Sequence, residues 1–112
     1  NVKFDSEKRY FATFISREDI EKFKLEYADI EIIRDAFMNP MLNIAQIDWG
    51  FMVKPKSEGK CGISFRSKAK TLNMKELAEK FEGGGHENAA GGSVDIADPK
   101  EAMEFIESKI FG

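Results

Sequence analysis

The residues whose types and spacing best suit chemistry lie between Phe81 and Val94. This stretch, FEGGGHENAAGGSV, holds five of the nine glycines and the single histidine. Glycine reaches positive φ and lets other groups come close to the backbone. Successive N–H groups turned inward form a concave nest for an anion. If ENAAG opens a further helical turn, its first amides and its dipole add to the same nest. His86 contributes one more donor, stronger when protonated. These parts suit a phosphate or a carboxylate. The same residues also describe a helix C-cap followed by a flexible turn with an exposed histidine. No Gly-Lys-Ser/Thr follows, so this is not a P-loop. It follows a helix rather than a strand, unlike a dinucleotide fingerprint.

The elements that must position the loop are strongly patterned. Arg9 to Ile15 (RYFATFI) is aromatic and β-branched and reads as a strand. Ser16 then caps a helix over Arg17 to Tyr27, with Ile15 and Ile20 as a hydrophobic staple. Ile30, Ile33 and Phe37 keep helical spacing until Asn39-Pro40 stops a second helix. From Ile44 to Val53 the period changes to two, with Ala45, Ile47, Trp49, Phe51 and Val53 on one face. After a turn-rich Lys54 to Gly59, Cys61, Ile63 and Phe65 alternate with Lys60, Gly62, Ser64 and Arg66, completing a hairpin.

Asn73 and Glu76 then signal the start of a helix with a Met74, Leu77, Ala78, Phe81 stripe, and Gly83 stands where a C′ glycine would end it. Gly92 to Ile96 suits a short strand. Asp98, Pro99 and Glu101 open a last helix with an Ala102, Met103, Ile106, Ile110 stripe. The fold expected is a single α/β domain over residues 1–112, a mixed sheet of about four to five strands with helices packed on it.

Composition narrows the function classes. A formal charge of −3 argues against a protein that coats nucleic acid through a broad basic surface, while leaving room for a pocket that takes one or two phosphates. No apolar run approaches the roughly 20 residues of a membrane span, and no charged-then-apolar leader is present. Cys61 is alone, which excludes a disulfide framework and points to a reducing, cytoplasmic compartment. The chain does not begin with Met, as expected of a processed chain or an excised domain.

The order of the loop residues carries more than their number. Gly83-Gly84-Gly85-His86-Glu87-Asn88-Ala89-Ala90-Gly91 resembles the signature of the DHH-associated C-terminal domain. That domain accompanies the catalytic domain of DHH phosphoesterases: RecJ-like exonucleases, oligoribonucleases and cyclic-dinucleotide phosphodiesterases. An Arg-Ser pair ending a strand ahead of the signature helix is a second family feature, supplied here by Arg66 and Ser67 in CGISFRS. The resemblance is strong from about Gly59 to Val94 and loose upstream. Two positions depart from it: Glu82 stands where many relatives have a fourth glycine, and Glu87 where proline is frequent. Both carboxylates are expected to face solvent.

The resemblance implies a split active site. An upstream DHH domain, absent from this chain, would hold manganese or magnesium and perform the hydrolysis. This chain would bind no cofactor and supply no catalytic group. Its part would be to hold a nucleotide or a short single-stranded oligonucleotide through Arg66, Ser67, Gly83, Gly84, Gly85, His86, Asn88, Ala89, Ala90 and Gly91. His86 and the amides of Gly84 and Gly85 would contact phosphate, and Arg66 phosphate or base. The module also resembles the C-terminal part of alanyl-tRNA synthetases, an alternative in which it serves RNA binding and association. No membrane contact is expected, and a homodimer is left open. Outside the loop, Asp48 and Asp95 read as solvated carboxylates, Cys61 and Trp49 as core, and Lys68 and Lys70 either as a rim to the phosphate site or as loop solubilisers.

Overall fold

Residues 2–112 are described in a computed structural model. β1 (Val2–Asp5) and β2 (Tyr10–Phe14) form an antiparallel hairpin. Its turn is closed by Asp5 Oδ1, which accepts from the amides of Glu7 (3.1 Å) and Lys8 (2.9 Å). Ser16 caps α1 (Arg17–Lys22) as expected, its Oγ accepting from the Asp19 amide at 3.1 Å. The helix ends earlier than its apolar spacing suggests. Lys24 takes φ 51°, and the Leu25 amide turns back to the Ile20 carbonyl, so Tyr27 opens the next helix instead.

α2 (Tyr27–Met41) begins with a capping box between Glu26 and Asp29. It runs through Pro40 rather than stopping at Asn39. The proline sits in the last turn, and the carbonyl it leaves unpaired belongs to Ala36, an exposed residue that water can serve.

β3 (Trp49–Ser57) and β4 (Lys60–Ser67) pair antiparallel about a tight turn in which Gly59 takes φ 77°. The expected strand start at Ile44 is corrected here. Residues 44–48 are a turn in which the Ile47 amide meets the Ile44 carbonyl, and Arg9 holds Ala45 O and the Asp48 carboxylate. Conversely, Lys54 to Ser57 belongs to the strand, with a bulge between Pro55 and Ser57.

α3 (Met74–Glu79) is capped by Asn73, whose Oδ1 accepts from the Lys75 and Glu76 amides. Then follow β5 (Gly84–Gly85), β6 (Ala89–Val94) and α4 (Pro99–Phe111), the last capped by Asp98. The strands form one sheet in the order β1-β2-β3-β4-β6-β5. Only β2 and β3 are parallel, and their crossover carries α1 and α2. Six strands exceed the expected four to five because β1 and β5 add an edge at each side.

Strand alternation divides the core into two. Tyr10, Ala12, Trp49, Phe51, Val53, Cys61, Ile63 and Phe65 turn to the face covered by α3 and α4, where Met74, Leu77, Ala102, Met103 and Ile106 meet them. Aromatic rings run across this face: Tyr10 stacks on Trp49 at 5.1 Å, Phe51 meets Phe65 at 5.9 Å, and Phe65 meets Phe81 at 6.1 Å. Phe11 and Met52 turn to the other face and bury against Ile30 and Met38 of α2 and Ile47 of the preceding turn. Asp95 pairs with Lys60 at 3.2 Å, and Asp48 with Arg9 at 2.7 Å. Among the described residues no helix is long and apolar enough to cross a membrane.

The two clusters make a testable architecture. Met38→Ala on one face and Ile106→Ala on the other should each cost about 2–5 kcal/mol in denaturant unfolding. Because the sheet separates them, the double variant should cost the sum to within about 0.5 kcal/mol.

Candidate functional site

α2 covers β2 and β3 on its face of the sheet and leaves β4, β6 and β5 bare. A cleft of about 470 Å³ opens there. One wall carries Arg34 from α2, Lys54 and Lys56 from β3, and Arg66 from β4. The other consists of Gly83, Gly84, Gly85, Ala89, Ala90, Gly91 and Gly92, with Glu82 at the rim. The order β3-β4-β6-β5 therefore sets cations and glycines side by side across one surface.

The glycine wall is a hairpin. β5 pairs with β6 through Gly84–Gly91 and Gly85–Ala90, and His86 and Ala89 exchange both backbone bonds at the turn (2.8 and 3.3 Å). ENAAG thus does not open a helical turn; Ala89 onward is a strand paired to β4. Nor does Gly83 supply the left-handed residue after α3. Glu82 does, at φ 56°, and the Gly83 amide closes on the Ala78 carbonyl at 3.0 Å. Gly83 is required for a different reason: a Cβ there would lie 1.9 Å from the Gly91 carbonyl oxygen and 2.6 Å from Gly92 Cα. Gly85 is held at φ 142°, with Ala90 Cα 2.7 Å from where a Cβ would stand. At Gly84 nothing lies within 4 Å, so this residue faces open space on the cleft side.

The remaining motif residues divide by position. Ser67 is buried, and Asn88 Nδ2 donates to its Oγ at 3.0 Å and to the Lys68 carbonyl at 2.8 Å. Together with Ser67 N to Asn88 O (3.1 Å), these bonds fasten the loop to the end of β4. Neither residue lines the cleft, and neither does His86, which is exposed at the hairpin tip and without a side-chain hydrogen bond among the described residues. Glu87 is exposed as expected. Glu82 is exposed but borders the cleft, a correction to the expectation that it faces only solvent. Lys68 reaches the Ile44 carbonyl at 2.9 Å, and neither it nor Lys70 lines the cleft.

Arg34, Lys54 and Lys56 are the members of the cationic wall that the sequence did not single out. Lys54 Nζ donates to Ser64 Oγ at 2.7 Å. Burial, then the charges of Arg34 and Arg66, push its ammonium down to about 8. Burial and Arg34 likewise lower Arg66, whose Nη1 donates to the Phe65 carbonyl at 2.8 Å. Arg34 donates through Nε and Nη2 to the neighbouring Asp35, which holds that carboxyl below its ordinary range. Two half-buried cations, Lys54 and Arg66, thus face the cleft with no ion-pair partner among the described residues. That arrangement favours an anion.

Two outcomes test this description. Gly83→Ala should lower stability by about 2–4 kcal/mol, because backbone stands where its methyl would go, whereas Gly84→Ala should stay within about 1 kcal/mol; denaturant midpoints report both. A lysine whose folded pKa is depressed leaves the unfolded state holding more protons between about pH 8 and its ordinary value. Stability from this group therefore rises with pH across that window. Lys54→Met should accordingly raise the melting temperature at pH 7 by a few degrees, with the gain shrinking above pH 8 as Lys54 itself neutralises.

Comparison with known proteins identifies the family of the chain. The DHHA1 domain family matches residues 8–110. No curated protein matches the chain. Among solved structures, an exopolyphosphatase-related protein from Bacteroides fragilis aligns over 97% of this chain and 30% of its own, at 26% identity and TM-score 0.79. The pGpG-specific phosphodiesterase PggH from Vibrio cholerae aligns over 98% and 35%, at 13% identity and TM-score 0.58. The C-Ala domain of Aquifex aeolicus alanyl-tRNA synthetase aligns over 93% and 90%, at 16% identity and TM-score 0.54. The chain thus spans about a third of the length of the first two proteins, and the latter two likenesses are of fold. With 103 consecutive residues matched and the glycine-histidine hairpin seated on its Arg-Ser strand, this chain belongs to the DHHA1 domain family.

Proposed function

We propose that this chain is the substrate-holding domain of a DHH-family phosphoesterase and binds the phosphates of a nucleotide or short single-stranded oligonucleotide. The observation that carries this reading is the cleft that sets Arg66 against the glycine hairpin. Arginine offers a planar fork matched to phosphate oxygens. The hairpin offers a backbone donor at Gly85, whereas the Gly84 amide is taken up by Gly91 in the β5–β6 ladder. Since His86 and Ala89 exchange both bonds, ladder alternation leaves the Gly85 N–H pointing off the sheet edge, free for a ligand. His86 stands at the hairpin tip, positioned to meet phosphate only where a ligand extends beyond the cleft. Ser67 and Asn88 act as positioning residues that fix the hairpin against β4.

Among the described residues no three His, Cys, Asp or Glu side chains come together as a metal site. In this reading the manganese or magnesium ion belongs to an upstream DHH domain, which would supply the hydrolytic chemistry while this chain orients the phosphate. The likeness to the alanyl-tRNA synthetase C-Ala domain favours a second reading, an RNA-binding and association module.

Titration of the chain with 5′- or 3′-phosphorylated oligonucleotides of two to five residues separates these readings. Binding should be salt-sensitive, and Arg66→Ala should weaken it about tenfold or more through loss of a charge-assisted contact. His86→Ala should weaken it less. Equal binding by wild type and both variants would overturn the site. Tight binding to transfer RNA that ignores a terminal phosphate would favour the second reading.

A further inference from the structure

The cleft is wider than one phosphate. Lys54 starts on β3, but its ammonium reaches Ser64 on β4, so about two strand spacings, roughly 10 Å, separate it from the Gly84–Gly85 strand at the outer edge of the hairpin. A charge-assisted hydrogen bond spans about 2.7–2.9 Å, so one phosphate group held on the outward Gly85 amide cannot also be held by Lys54 on the far wall. Yet that wall is the more strongly charged. Among the described residues Lys54 and Arg66 lack an ion-pair partner, and Arg34 pairs with Asp35. Lys54 spends one N–H on Ser64 Oγ at 2.7 Å, which leaves two donors for something else. Half-buried cations that repel one another are costly unless an anion joins them.

Resting on the phosphate-holding reading above, we infer that Lys54 and Arg34 build a second anion subsite on the wall opposite the glycine hairpin, with Arg66 between the two. It takes a further phosphate group of the same ligand, and Lys54 takes up a proton as that phosphate binds. The groups around Lys54 are Arg34, Asp35 and Glu31 from α2, Arg66 from β4, Lys56 on its own strand, and Glu82 across the cleft. In the free chain the surrounding cations and burial bring Lys54 to about 8. A bound phosphate opposes both effects and returns it toward its ordinary value. Affinity for a ligand that reaches this subsite therefore falls as pH rises above 8, and binding there draws a proton from solution.

The test compares three probes: a nucleoside 5′-monophosphate, a 5′-phosphorylated dinucleotide with two phosphates, and inorganic tripolyphosphate. Each is titrated calorimetrically into the chain at pH 7 and pH 9, in two buffers of different ionisation enthalpy. Lys54→Gln should weaken the dinucleotide about tenfold and leave the monophosphate within about twofold. Proton uptake on binding the dinucleotide should be small at pH 7 and approach about one at pH 9, and vanish in Lys54→Gln. Lys54→Arg keeps the charge and the donors without the titration, so it should retain affinity and lose the uptake.

Equal losses for the mono- and diphosphorylated ligands, or unchanged uptake in Lys54→Arg, would overturn the second subsite. If Arg66→Ala abolishes binding while Lys54→Gln changes nothing, the subsite falls and the phosphate-holding reading stands. If wild type binds none of the probes, both fall. Lys54-dependent binding of tripolyphosphate alone would keep the subsite and overturn the nucleotide as its ligand.

Discussion

The approach of the Gly83 backbone to Gly91 and Gly92 is the constraint on which the cleft depends. At this seam the end of α3 lies against β6 with no room for a side chain. The chain around it is tied on several sides. Gly83 N reaches Ala78 O, and Ser93 N reaches Phe81 O at 2.8 Å. The first amide of α3, at Met74, donates to Glu87 O at 2.8 Å, and Ser67 N donates to Asn88 O. The loop therefore straps both ends of the helix and leans on β4. A run of glycines usually signals freedom. Here three of them pack backbone against backbone, and the hairpin they form is held in place.

Much of this was legible in the sequence, because local chemistry governs it. Alternation from Trp49 to Val53 and from Cys61 to Phe65 reflects the apolar face that packs under α3 and α4, and caps at Ser16, Asn73 and Asp98 act within three residues. The order of residues around His86 located the hairpin without revealing its shape. GGGHENAAG has no branched or aromatic residue to mark a strand, so Ala89 to Val94 is extended only because β4 offers it a partner. β1 was invisible for the opposite reason: Val2, Lys3 and Phe4 are all exposed, and an edge strand without a buried face has no period to read.

The cationic wall escaped for a tertiary reason. Lys54 stands between Val53 and Pro55 at what reads as the start of a turn. Only the register, with Lys54 opposite Gly62 and close to Ser64, brings it to the cleft. Arg34 arrives there because α2 seats Ile30 and Met38 against Phe11 and Met52. Nothing in the segment around either residue distinguishes it from an ordinary surface cation. The electrostatic pattern belongs to the assembled sheet, where three elements bring like charges together and, among the described residues, no carboxylate forms an ion pair with Lys54 or Arg66.

The single parallel pairing, β2 beside β3, also shapes how the molecule must assemble. Strands β3 and β4 meet across a two-residue turn, and β5 and β6 across three residues, so these contacts close short loops. β2 can join β3 only after a 34-residue crossover has found its place, a connection with a larger entropic cost. The glycine wall joins Arg66 through the β4–β6 pairing, across a connection of 21 residues that carries α3. Arg34 belongs to the crossover that docks across the far side of β3. The charge of the cleft is complete only when the crossover that carries Arg34 has docked on β3.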